Sequence, residues 1–94
     1  MINPVVKYIL IIYPSFIPIY VYDSFRRRRI NTEKIVKKLR EVYGDFDGNQ
    51  FIDFGGKYLN SYLIEKHQIT FNDLLLESLQ PIIHRFRHFG ITVE

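Results

Sequence analysis

The 94-residue sequence contains no cysteine, which excludes disulfide staples, thiolate metal sites and a cysteine nucleophile together. That absence fits a reducing, cytoplasmic setting. Alanine and tryptophan are also missing, while isoleucine, tyrosine and phenylalanine are abundant. An A+T-rich coding sequence produces such a bias, and accessory proteins of viruses and mobile elements commonly show it. Glycine is sparse, and no glycine-rich phosphate loop or dinucleotide fingerprint is present. Ser15, Ser24, Ser61 and Ser78 lack the glycine pattern of a nucleophile elbow. No internal repeat or low-complexity segment is visible.

The chain also lacks an unbroken apolar helix-forming run. Residues 1–22 carry a single charge, Lys7, and lie just ahead of a basic cluster, the arrangement of a signal or an anchor. Spanning a bilayer takes about 20 consecutive apolar residues in one helix. Pro14 and Pro18 interrupt that run, and no small-residue cleavage site follows. No membrane association is expected from this segment.

What is present is enough apolar material for a folded domain: 47% of the residues are hydrophobic and 16% aromatic, too many for a disordered chain. The length allows one domain, covering residues 1–94. A domain this small buries a modest share of its surface, so a homo-oligomer is the expected source of further burial.

The pattern predicts an α+β fold. β-Branched and aromatic runs on either side of Pro14-Ser15 read as a hairpin, with strands at about Val5–Tyr13 and Ile17–Asp23. Ile17, Ile19 and Val21 would share one face of the second strand, and Pro18 would mark a sheet edge. Asn31 offers a cap for a helix over Thr32–Tyr43, with Ile35, Val36, Leu39, Val42 and Tyr43 inward and Gly44 as the stop. Asp45–Gly56 reads as a loop with a short strand at Gln50–Phe54. Further helices are expected over Lys57–His67, with Tyr58, Leu59, Tyr62 and Leu63 inward, and over Phe71–Phe89, kinked or divided at Pro81. Ile91–Val93 would add a last strand.

The segment Asp45-Phe46-Asp47-Gly48-Asn49-Gln50-Phe51-Ile52-Asp53-Phe54 resembles the first ten residues of an EF-hand calcium loop, with Asp45, Asp47 and Asn49 at ligand spacing. It departs from that family at Gln50, where the turn wants glycine, and at Gly56, where a bidentate glutamate belongs. A polar turn is the simpler reading, and no metal is expected. Asp45, Asp47 and Asp53 are also the only acids suited to a Mg²⁺-dependent nuclease, but a turn tip makes a poor rigid platform. His84 and His88 share a helix face one turn apart, where they complement a helix C-terminus as readily as they chelate. No catalytic residue and no cofactor is expected.

The sharper signal is cationic. Net charge is only +3, but Arg26, Arg27, Arg28 and Arg29 are consecutive, and Lys34, Lys37, Lys38 and Arg40 follow closely. Placed at the N-terminal side of a helix, these cations oppose its dipole and seek an external anion. Guanidinium forks suit phosphate, so nucleic-acid backbone bound without sequence preference is the first expected partner, through Arg26, Arg27, Arg28, Arg29, Lys34, Lys37 and Lys38. An acidic protein surface is the alternative, making the chain an inhibitor or assembly factor. A helix-turn-helix built from residues 57–89 is excluded, because its recognition helix would open on Asn72 and Asp73 and repel phosphate.

Overall fold

Pro4 and Pro18 begin helices here. In the computed structural model, which describes residues 4–12 and 15–88, helix α1 (Pro4–Ile12) opens on Pro4, and α2 (Ile17–Arg27) carries Pro18 in its first turn. Proline is tolerated there, since a first-turn N–H has no intrahelical acceptor. The buried set of α2 is Ile17, Val21, Ser24 and Phe25, a four-then-three spacing that belongs to a helix. Ile19, expected to share a strand face with Ile17 and Val21, is instead exposed.

The expected hairpin is therefore absent, and the α+β assignment is replaced: the described residues are helical throughout, with no strand among them. Strand propensity in Val, Ile and Tyr is weak compared with what burial of a continuous stripe provides. The tail Ile91–Val93 lies outside the described residues.

Helix α3 (Thr32–Tyr43) has the expected bounds, but of its expected inward residues Val42 is exposed and Val36 and Tyr43 are only partly buried. Its N-cap Asn31 accepts a hydrogen bond from the Lys34 N–H at 3.1 Å, and Gly44 ends it at a φ of 67°. Ile35 and Leu39 are buried, while Lys34, Lys37, Lys38 and Arg40 face outward.

Residues 45–56 depart from expectation. Asp47 and Gln50 form a reciprocal capping box: the Asp47 carboxylate accepts from the Gln50 N–H, and the Gln50 side chain accepts from the Asp47 N–H, both at 2.9 Å. This starts α4 at Gly48, where a loop and short strand were anticipated. Helix α4 covers residues 48–67 as an α-helix (Gly48–Phe54), a π-helical turn (Gly55–Leu59) and a second α-helix (Asn60–His67), ending at Gln68 with left-handed backbone.

The π turn packs against the start of α5 (Phe71–Ser78). A Cβ at Gly55 would overlap the Phe71 ring, so only glycine leaves that ring its place. Asn60 Oδ1 accepts a hydrogen bond from the Phe71 N–H at 2.9 Å. Residues five apart point roughly 140° from one another in ordinary α winding. With i→i+5 bonding they come close to alignment, so Gly55 and Asn60 can both address Phe71. The Asn60 N–H does bond to the Gly55 carbonyl.

Helix α6 (Gln80–His88) follows α5 with a break at Leu79, and Pro81 sits in its first turn, as the division at Pro81 anticipated. The core gathers Phe25 from α2, Leu39 from α3, Phe51, Phe54 and Leu63 from α4, and Leu74, Leu75, Leu79 and Ile83 from the last two helices. Phe51 is its aromatic hub, with Tyr22 edge-on at 5.8 Å and Phe46 and Phe71 each at 6.2 Å between ring centroids. No described helix is long and apolar enough to cross a membrane.

Candidate functional site

The arginine run straddles the end of α2. Arg26 and Arg27 occupy its last turn, where the helix dipole favours cations; the sequence reading had placed the run at the N-terminal side of α3. Arg29 takes a left-handed conformation at φ 60°, its N–H bonding to the Arg26 carbonyl while the Ile30 N–H reaches the Phe25 carbonyl at 2.8 Å. That pair of bonds is a Schellman ending with Arg29 in the position that glycine normally takes.

Internal partners account for most of the run. Arg26 pairs with Asp23 at 3.0 Å. Arg28 reaches α5 and pairs with Glu77 through Nε and Nη2. Arg27 donates to Ser24 Oγ at 3.1 Å. Ser24 in turn lies 2.7 Å from Ser78 Oγ, and Ser78 lies 2.6 Å from the Leu74 carbonyl. Since Ser78 has one hydroxyl proton, it donates to that carbonyl and accepts from Ser24. This buried chain satisfies both hydroxyls at the α2–α5 contact. The expectation of guanidinium groups lacking internal carboxylates therefore holds for neither Arg26 nor Arg28. Within residues 26–29, Arg27 and Arg29 are exposed and have no ion pair among the described residues; Arg27 meets only the neutral Ser24 hydroxyl.

The lysines of α3 divide between two grooves. Lys37 lies with Arg26 and Arg40 on the α2–α3 side, where Glu33 and Glu41 line the same surface and offset the charge. Lys34 and Lys38, one helical turn apart, line the α3–α4 side together with Asn31. That groove encloses about 280 Å³ over Ile30, Ile35, Phe54 and Leu59 and has no carboxylate in its lining. Its far wall is formed by Tyr58 and Tyr62, which are 46% and 42% exposed. Both had been expected to face inward; only Leu59 and Leu63 of that stretch are buried. Tyr58 packs on Phe54 at 5.2 Å, and the Lys38 ammonium stands 5.8 Å from the Tyr58 ring centroid, within cation–π range.

The acidic residues are occupied elsewhere. Asp47 caps α4, and Asp53 accepts from the Tyr43 hydroxyl and pairs with Lys57 at 3.1 Å. The hydrogen bond from Tyr43, helped by Lys57, lowers the Asp53 pKa, and the same bond pushes Tyr43 up to about 12. Among the described residues no three His, Asp or Glu side chains converge as metal ligands, so the calcium-loop likeness and the Asp45–Asp47–Asp53 cluster have no geometric counterpart. His84 is exposed, and the His88 side chain lies outside the described residues.

Comparison with family models, characterised proteins and solved structures gives no match, so the site's own geometry carries the functional reading.

Proposed function

We propose that the chain is an intracellular, non-enzymatic accessory protein that binds nucleic-acid backbone without sequence preference. The observation that carries this is the α3–α4 groove, where Lys34 and Lys38 project from one helix with no acid among the lining residues. Arg27 and Arg29, exposed ahead of α3, add to the same sign of charge, whereas Lys37 on the adjacent face is offset by Glu33 and Glu41. Arg26 and Arg28 contribute little, because an incoming phosphate would have to displace Asp23 or Glu77. Lysine and arginine contacts to phosphate release counterions, so affinity should fall steeply with salt and vary little among sequences.

The test is the combined variant Lys34→Gln, Lys38→Gln titrated with nucleic acid over a range of salt. Loss of two phosphate contacts should flatten the logarithmic salt slope by about 1.4 for a single strand or 1.8 for a duplex. A variant that binds as the parent does, at every salt concentration, would exclude the reading.

Two exposed apolar residues near the start of the chain favour self-association. Ile11 on α1 and Ile19 on α2 are 80% and 55% exposed, on helices where Lys7 and Asp23 are the only charges before the arginine run. Exposed apolar groups in a domain with a small core favour burial against a second copy. Light scattering that gives a dimer mass, reduced to a monomer by Ile11→Glu with Ile19→Glu, is the expected result. A parent protein that stays monomeric at high concentration would remove it.

A further inference from the structure

We infer that the α3–α4 groove takes a single strand with unpaired bases, which stack on Tyr58 and Tyr62 while Lys34 and Lys38 hold the flanking phosphates. This rests on the nucleic-acid reading above and narrows it to one class of ligand.

Three features of the groove lead there. Its two walls differ in chemistry: lysines from α3 and phenol rings from α4 border an apolar floor, with the Lys38 ammonium over the Tyr58 ring. A nucleotide has the same division, with an anionic backbone on one side and a flat base on the other. The rings are also partly open: Tyr58 and Tyr62 are about half exposed, with Tyr58 resting on Phe54 below the Lys38 ammonium and Tyr62 meeting His67 edge-on at 5.6 Å. A base stacking on Tyr58 takes the place of that ammonium, which moves to the phosphate. Finally, each wall repeats by one helical turn, Lys34 to Lys38 and Tyr58 to Tyr62, so two successive nucleotides meet equivalent surroundings.

A duplex would satisfy only one wall. Its bases are paired and stacked inside, and a narrow groove between two helices cannot reach their faces. The lysines would be engaged and the tyrosines left against solvent. Stacking on aromatic rings is tolerant of base identity, which agrees with binding that has no sequence preference. An acidic peptide would also answer the lysines, but it brings no planar partner for the rings.

The experiment measures fluorescence anisotropy of a short oligothymidine, a duplex of equal length and a polyglutamate, each against the full chain and three variants. Tyr58→Leu with Tyr62→Leu keeps apolar bulk and removes the ring faces; Lys34→Gln with Lys38→Gln removes the charges. The oligothymidine should bind the parent more tightly than the duplex or polyglutamate does. The leucine variant should lose roughly tenfold affinity for the oligothymidine per ring, with its salt slope unchanged. The glutamine variant should instead flatten that slope. Circular dichroism melts confirm that each variant is folded, and Tyr58→Phe with Tyr62→Phe, which keeps the stacking faces, should restore binding. Equal binding of duplex and oligothymidine, or full affinity in the leucine variant, overturns the single-strand assignment while leaving phosphate binding in place. Polyglutamate bound as tightly as the oligothymidine overturns it in favour of an acidic protein partner. No binding of either nucleic acid overturns both readings.

Discussion

Arg28 holds Glu77 by two hydrogen bonds, Nε to Oε2 at 3.1 Å and Nη2 to Oε1 at 3.0 Å, across 49 positions of sequence. The pair joins the end of α2 to α5 beside the buried Ser24–Ser78 contact, so its role is to fix those helices. Both side chains remain partly solvated, at 34% and 48% exposure, which limits the stabilisation to roughly 0.5–1 kcal/mol. Glu77→Gln should lower the unfolding free energy in urea by about that amount. It should also release a cation and steepen the salt dependence of nucleic-acid binding by close to one contact.

Arg29 occupies a left-handed position that disfavours any side chain with a Cβ. Arg29→Gly should therefore raise stability by roughly 0.5–1 kcal/mol while removing an exposed cation. Thermal melts and binding titrations of the same variant should move in opposite directions. A variant less stable than the parent would show that the Arg29 side chain has a packing role.

Gly55 and Gly56 are adjacent in sequence but differ in surroundings. At Gly55 an added Cβ meets the Phe71 ring, whereas at Gly56 it meets nothing within 4 Å. Gly55→Ala should cost about 1–3 kcal/mol, the usual range for overpacking a well-filled core. Gly56→Ala should stabilise by about 0.5–1 kcal/mol, since alanine loses less conformational freedom in a helix. Chemical denaturation of the two variants side by side checks the contrast.

Tyr43 and Asp53 set opposite ends of the pH profile. Their hydrogen bond holds the phenol protonated up to about 12, above its unfolded value of 10.0, so the folded state retains that proton longer. This contribution to stability is complete below pH 10 and disappears as pH rises through 12. Asp53 behaves inversely: its pKa is lowered from 3.8, so its contribution is present above that value and fades as pH falls below it. Asp53→Ala should bring Tyr43 ionisation back toward 10, seen as added phenolate absorbance between pH 10 and 12 relative to the parent.

The central helix α3 could be read from sequence because each of its signals is local. Asn31, the spacing of Ile35 and Leu39, and Gly44 act within a few residues of one another. Pro81 was equally informative, because loss of a backbone donor needs no tertiary context. The N-terminal helices were misassigned because Ile17, Ile19 and Val21 satisfy a two-residue period and Ile17, Val21 and Phe25 a four-residue one; burial selects between them. The start of α4 was legible and overlooked: Asp47 with Gln50 three positions later is a capping signature, masked by the likeness to a calcium loop. The outward turn of Tyr58 and Tyr62 was not legible locally, because a π turn over Gly55–Leu59 interrupts the regular spacing from which an inward face is read. The charge cluster was visible in the sequence, but its internal pairing was not. The Arg26–Asp23 pair is local, whereas the pairing of Arg28 depends on Glu77, far away in sequence.

The π turn also sets where this chain can change its length. Excising a residue from the interior of an α-helix swings everything beyond it by about 100° and scatters the buried stripe. Losing Gly56 would instead set Gly55 and Asn60 four positions apart, a spacing that ordinary winding already keeps on one face. Both could then still address Phe71, so a chain shortened at Gly56 should fold where one shortened at Leu63 or Leu39 does not. For this protein, a place that accepts a deletion lies in the middle of the longest helix among the described residues.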